Sequence, residues 1–264
     1  MKTRHGTSLA LVIMLTLGAC TSGSEAAEAP ASSAPTSSDA DTTAPSETDP
    51  GRTVQDIMEL PPFAPLEPGT YSIDPDGDAS TPLRVVYEVP VEGWSMWIGA
   101  VKFAEDEGHV GMSITTVTNL VRHGCRDHSW ADPPVGPSVD DLAASLADLA
   151  PFRVTAPPID VTSYGYRGKH LELTVPELPV EGEGDDRSFA GCEEGTLKSW
   201  VSFVDRAEEG DAFYGYSKPG HTEEFWILDI EGIRLMIEAN WSPDSPRKDL
   251  AEMRAILDSI RIEP

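Results

Sequence analysis

The chain has 264 residues, with 45 acidic side chains against 19 basic ones and a formal net charge of −26. Binding to nucleic acid relies on lysines and arginines that displace counterions from phosphates, and no basic cluster here offers that, so nucleic acid is excluded as a partner class. The same charge repels anionic lipid headgroups, so a membrane would hold this chain only through a separate anchor.

The first residues supply one. Lys2, Arg4 and His5 precede the apolar run Leu9–Leu17, the build of an export signal. That run is too short to cross a bilayer, which takes roughly 20 apolar residues. It ends in Leu17-Gly18-Ala19-Cys20, which resembles the lipobox of bacterial lipoproteins. The resemblance implies a diacylglycerol on the Cys20 sulfur, cleavage before it, and a membrane partner engaged through lipid. Two acyl chains, at about 0.8 kcal/mol per buried methylene, hold stably where one is marginal. From Thr21 to Pro50 every residue is Thr, Ser, Gly, Glu, Ala, Pro or Asp, so no side chain can build a core. The expected division is a signal peptide over 1–19, a lipidated cysteine and disordered stalk over 20–50, and one globular domain over 51–264. A flexible stalk of that length spans about 30 Å root-mean-square.

Within the domain, Asp74, Asp76 and Asp78 have the spacing of the first ligands of an EF-hand-type calcium loop. The sixth position, which needs glycine, is Ala79, and the twelfth, which needs a bidentate Glu, is Val85. An acidic Pro-Gly turn is the better description. It leads into Leu83, Val85, Tyr87 and Val89, which alternate with Arg84 and Glu88 as a half-buried strand does. WSMWIGAVKF and HVGMSITTV continue in that style.

HGCRDH follows, in which His123, Cys125, Asp127 and His128 are ligand types that zinc accepts. Their spacing matches no common zinc pattern. With Cys20 committed to lipid, Cys125 and Cys192 remain as an even pair in an oxidising compartment, and a disulfide with surface histidines is expected instead of a metal. Trp130 lies in the Pro-rich segment RDHSWADPPVGP, where an indole beside Arg126 and His128 would suit ligand or partner binding. A tryptophan lid packed on the disulfide is the alternative.

SVDDLAASLADLAP carries the helical period: Ser138 caps with Asp141, Leu142, Leu146 and Leu149 form one stripe, and Pro151 ends it. HLELTV, LKSWVSFV, EFWILDI and IRLMIEANW are strand-like, the last placing Ile233, Leu235, Ile237, Ala239 and Trp241 on one face. Glu231-Gly232 reads as the hairpin turn between the final two. Trp97, Trp200, Trp226 and Trp241 fall in these strands and are expected in the core. In SPRKDLAEMRAILDSI, Ser245 caps, Pro246 opens the helix, and Leu250, Met253, Leu257 and Ile260 form its buried stripe, before a last strand IRI.

Taken together, VPVEGW, VGPSVDDLAASLADLAPFRVTAPPIDVTSYGYRGKHLELTVP, FWILDIEGIRLMIEANW and EMRAILDSIRI resemble a group of uncharacterised actinobacterial envelope lipoproteins over most of residues 66–262. The element order is more remotely similar to PsbP-like domains, an antiparallel sheet flanked by helices. Both resemblances imply a fold and bring no catalytic residue. The expected class is α+β, a mostly antiparallel sheet of about six to eight strands with two helices packed on it.

No cofactor, metal or catalytic residue is singled out. Gly-x-Ser-x-Gly and His-Glu-x-x-His are absent, and Gly182-Glu-Gly184 sits in a charged loop instead of a dinucleotide-binding turn. The expected function is that of a lipid-anchored protein on the extracytoplasmic face of the cell membrane, non-enzymatic, binding a small molecule or an envelope protein. The alternative is an envelope hydrolase whose catalytic residues assemble only in the fold. A shallow aromatic groove would favour the binder; a deep pocket with nucleophile, base and oxyanion donors would favour the hydrolase.

Overall fold

The computed structural model describes residues 54–104, 108–182, 187–202, 213–216 and 218–264. The export signal, Cys20 and the stalk lie outside the described residues. In chain order the strands are β1 (Val54–Asp56), β2 (Pro65–Leu66), β3 (Gly69–Ile73), β4 (Arg84–Val89), β5 (Trp94–Trp97), β6 (Gly99–Phe103), β7 (His109–His123) and β8 (Asp127–Trp130). Helix α1 (Val139–Ala147) separates these from β9 (Arg153–Ser163), β10 (Tyr166–Thr174), β11 (Val180–Glu181), β12 (Ser188–Phe189), β13 (Leu197–Ser202), β14 (Phe213–Tyr216), β15 (Thr222–Ile230) and β16 (Ile233–Trp241). Helix α2 (Arg247–Asp258) and β17 (Arg261–Glu263) close the chain.

The main sheet runs β2-β5-β6-β7-β16-β15-β10-β9, with β8, β13 and β14 joined through β7, making eleven strands. The α+β class stands, and the expected six to eight strands is an undercount. WSMWIGAVKF holds two strands folded back at Ile98, and β9 contains Pro157-Pro158, a pair tolerated because this strand lies on an edge. A second sheet, β1-β3-β4-β17, is parallel between β1 and β3 and antiparallel elsewhere.

Alternation along β15 and β16 sets two faces. Glu223, Phe225, Ile227, Met236, Glu238 and Asn240 share one, while Glu224, Trp226, Leu235, Ile237 and Ala239 share the other. Helix α1 covers the first, because its Asp140 meets Lys169 at 2.9 Å and Lys169 sits opposite Ile227. Helix α2 covers the second, where Arg254 pairs with Glu224. The helices therefore lie on opposite sides of the main sheet, and both faces of β16 are buried.

The capping box of α1 forms as expected, Ser138 Oγ accepting from the Asp141 N–H and the Asp141 carboxylate accepting from Ser138. The start of α2 differs. Pro246 is its cap residue, and Ser245 Oγ instead donates to the His109 carbonyl at 2.5 Å and accepts from the Ser242 N–H at 3.0 Å. Ile256 joins Met253 and Leu257 in the core, while Leu250 is only half-buried.

Cys125 and Cys192 are joined by a disulfide with Cα atoms 4.6 Å apart, tying the end of β7 to the segment before β13. Closing a loop of such length contributes roughly 4 kcal/mol in the chain-entropy account.

Gly99 permits the contact of β6 with β7. A Cβ at this position would lie 2.3 Å from the Met112 carbonyl oxygen, and the backbone φ of 148° is one that other residues rarely adopt. Gly99→Ala is expected to destabilise the domain by about 2 kcal/mol or more, read as a lowered thermal midpoint. An unchanged midpoint would mean that β6 approaches β7 less closely than described.

Candidate binding cleft

One rim of the candidate site is a turn with the wrong residue for its geometry. In Pro61-Pro62-Phe63-Ala64 the Ala64 N–H donates to the Pro61 carbonyl at 3.0 Å, and the third residue, Phe63, has φ 60°. With proline at the second place this is a type II turn, whose third position favours glycine. A bulky residue there costs roughly 1–2 kcal/mol. Two bonds to β5 pin it: Phe63 N–H to the Met96 carbonyl at 3.1 Å, and Met96 N–H to the Ala64 carbonyl at 2.8 Å.

The result is an aromatic ring held out from the fold. Phe63 is 53% exposed and stacks on Trp97 with centroids 5.3 Å apart, and Phe103, 61% exposed, lies 6.3 Å away. These three rings border a cleft of about 250 Å³ whose remaining lining includes His109, Gly111, Asn240 and Tyr214. Strand register builds the floor: Gly111 pairs with Asn240, and the Asn240 amide fills the space a Gly111 side chain would take, 3.2 to 3.3 Å from the position of a Cβ.

Below the floor the same sheet face is polar and closed to solvent. Glu238 pairs with Ser113 and Glu223 with Asn240, and both carboxylates are 0% exposed. Among the described residues, neither their oxygens nor Asn240 Oδ1 has a partner at hydrogen-bonding geometry, although Ser113 and Asn240 lie near Glu238 and Asn240 near His109. Burial pushes the Glu238 carboxyl up to about 7, and its neighbours Ser113, Asn240 and Glu223 only moderate the rise. Burial, and after it the charge of Glu238, holds the Glu223 carboxyl well above its ordinary range. The pair therefore keeps at least one proton near neutral pH.

The aromatic side chains near this polar layer are held neutral. Tyr214 stacks on Trp200 at 5.0 Å, and burial, then the charges of Glu238 and Glu223, raise its hydroxyl. His109 and His221 stack at 4.8 Å. Burial lowers both, with Lys218 adding to the effect at His109, and His109 followed by Lys218 adding to it at His221. Lys218 itself is paired with Asp244 at 2.7 Å.

The residues singled out from sequence lie elsewhere. Val121, opposite Trp130, is ten residues along β7 from Gly111, about 33 Å of extended strand. Trp130 ends β8 half-buried, its indole N–H enclosed without a partner. Arg126 is exposed, but His128 is buried, with Nε2 3.0 Å from the Gly124 carbonyl, so these three side chains do not form one surface. His123 Nδ1 accepts from the N–H groups of Cys125 and Arg126. Asp74 accepts from the Gly77 N–H and Asp76 from the Asp78 N–H, as an acidic turn requires. Of the four tryptophans expected in the core only Trp200 is fully buried; Trp226 and Trp241 are half-buried, and Trp97 belongs to the cleft.

Phe63, Phe103, Tyr214, Glu223, Glu238 and Asn240 escaped the sequence analysis. Glu238 carried a signal: it interrupts the apolar run IRLMIEANW on the face it shares with Met236. None of the residues lining the cleft is Ser, Thr or Cys, and neither glutamate lines it. A molecule in the cleft thus meets aromatic rings, the His109 imidazole, the Tyr214 ring and the Asn240 amide.

No family model matches the chain, and no curated protein does. Among solved structures it is similar to the crystal structure of LpqN, described as involved in cell envelope biogenesis of Mycobacterium tuberculosis, with 12% identity, 76% of this chain and 90% of that chain covered, and a TM-score of 0.29. A likeness that slight carries no weight for fold or role.

The buried pair makes a definite pH dependence. Both carboxyls bind protons more tightly in the folded than in the unfolded chain, so their stabilising contribution is fully present below about pH 4.5. It falls as pH rises through about 7 for Glu238, and through the likewise raised range of Glu223. Glu238→Gln is expected to flatten this fall and to melt above the wild type at about pH 8. A wild-type midpoint independent of pH across that window would show that the pair is not buried as described.

Proposed function

We propose that this chain is a lipid-anchored protein of the extracytoplasmic membrane face whose domain binds a small molecule, without transforming it, between Phe63, Trp97 and Phe103. The strained turn carries this proposal. A residue kept at positive φ where glycine would fit better, and whose ring is then left half in solvent, is accounted for by what the ring touches in the bound state. The small volume suits one end of a ligand or a compact molecule, and among the described lining residues the only hydroxyl is that of Tyr214, which burial keeps protonated, so binding is favoured over hydrolysis. The anchor rests on the lipobox resemblance at Cys20, and the stalk would hold the cleft clear of the headgroups.

Two experiments test the parts separately. In an NMR screen of sugars, alkyl alcohols and alkyl amines, ligands that shift the Trp97 indole signal should lose that effect in Phe63→Gly and keep it in Trp130→Ala. Phe63→Gly should remain within about 1 kcal/mol of wild-type stability, because relief of the turn offsets the lost stacking on Trp97. Ligands that bind Phe63→Gly unchanged would remove the cleft from consideration. For the anchor, the native protein should fractionate with membranes and the Cys20→Ala variant should not; an unmodified Cys20 in the mass spectrum of the membrane-associated form would end that part.

A further inference from the structure

Among the described residues, five oxygen atoms on one sheet face have no partner at hydrogen-bonding geometry: Asn240 Oδ1 and both carboxyl oxygens of Glu223 and of Glu238. Ser113 and the Asn240 amide stand near enough to Glu238 to moderate its carboxyl, and Asn240 does the same for His109, but none of these approaches closes into a well-aligned bond. All three side chains are at least nine-tenths buried, and Asn240 also lines the cleft. Buried acceptors in folded proteins are nearly always paired, and each exception calls for an occupant or a function. Among the described residues, no lysine or arginine is one of the groups that set the titration of either glutamate, and Lys218, by the histidines, is committed to Asp244.

We propose that the cleft takes a molecule bearing a protonated primary amine on an apolar stem, with the stem against Phe63 and Trp97, the ammonium at Asn240 Oδ1, and the Glu238–Glu223 pair supplying negative charge behind it. This deepens the binding-cleft reading and rests on it. An ammonium group offers three donors and no acceptor, the complement of a floor in which oxygen acceptors predominate, whereas a polyol would bring its own lone pairs and a quaternary ammonium would bring no donor at all. Aromatic ring faces attract the same cation at the rim. Gly111 lets the Asn240 amide lie across the floor, since any side chain there would occupy that position.

The proton balance is explicit. The carboxyl pair holds a shared proton in the empty cleft, and a cation placed above it favours the doubly ionised pair, so binding passes up to one proton to the buffer while the amine keeps its own. Tyr214 from β14 faces the pair, His109 from β7 lies by Asn240, and His221 and Lys218 from the segment before β15 lie behind His109. Neither histidine supplies a positive charge, and Tyr214 is held protonated.

Calorimetry on the full-length chain at about pH 7 tests this with n-butylamine and its neutral counterpart 1-butanol, in two buffers of different ionisation enthalpy. The amine is expected to bind about tenfold or more tightly than the alcohol, with buffer-dependent heat, and Glu238→Gln is expected to remove that preference while leaving the alcohol unaffected. Equal affinities overturn the ammonium proposal and leave an apolar cleft. Heats independent of buffer, or an amine preference that survives in Glu238→Gln, overturn the role of the carboxyl pair. Amine binding that persists in Phe63→Gly places the amine elsewhere, and failure of both probes to bind wild type overturns the cleft itself. Should Glu238→Gln not fold, the wild-type amine-to-alcohol ratio and the proton release decide.

Discussion

Strand β7 is hydrogen-bonded along nearly its whole length, to β6 and β16 over its first half and to β13 and β8 over its second. Its fifteen residues are the spine from which the other parts take their positions. Because each neighbour is registered against it, His109, Gly111 and Ser113 stand in line on one face, and their partners Asn240 and Glu238 fall beside them. The hairpin β13–β14 pairs with the later part of β7, and its Tyr214 comes to lie against the polar layer set by the earlier part. A one-residue slip of β16 would turn Glu238 and Asn240 to the α2 side and put Ile237 and Ala239 under the cleft. The disulfide fastens the far end of the same strand to the start of β13.

Two features at this site are costly to the fold, and they are independent in origin. One is backbone strain at Phe63, which any glycine would relieve; the other is the burial of two carboxylates without a counter-ion. Desolvation of such groups costs several kcal/mol per ion unless a proton is retained, and retention is the course this pair takes. Local rules are broken most often where a site needs them broken, and two breaches meeting at one cleft weigh more than either alone. Near Trp130 the orphans are two, the indole N–H and the ring Nδ1 of His128, and no buried carboxylate joins them among the described residues.

The regular parts of the fold were legible because period two and the helical period are physical consequences of burial. Strands β4, β7, β10, β13, β15 and β16 and both helices follow them, and the turn between β15 and β16 has the positive φ anticipated at Gly232, 95°, with Glu231 at 52° as well. What was lost had competing causes. Pro157-Pro158 hid β9, and the His109 carbonyl drew Ser245 away from the cap of α2. The site was harder: Pro-Pro-Phe reads as a linker, since nothing in the letters says that phenylalanine occupies the glycine place of a turn. Glu223 sits in an acidic pair in a chain with 45 acidic residues, where a solvated carboxylate is the natural expectation. Its burial comes from its place in the sheet, between Asn240 of β16 and Leu173 of β10 and facing Tyr214, which local periodicity does not encode.

The surface charge and the buried charge have different effects on whatever approaches. A net charge of −26 enriches cations of every kind around the domain, but exposed charges are screened over a Debye length of about 8 Å at physiological salt, so this enrichment selects little. The Glu223–Glu238 pair has no solvent between its charges and the cleft floor, and screening by salt reaches it weakly. Surface charge thus governs encounter, and its effect should fade with salt, whereas discrimination between a cation and a neutral molecule of the same shape depends on two side chains that no solvent touches. The same seclusion argues against hydrolysis: a carboxylate pair acting on a glycosidic or ester bond must flank that bond, and these two lie outside the lining of the cleft. A charge that can be felt through the floor but not touched is suited to holding a ligand and poorly placed to transform it.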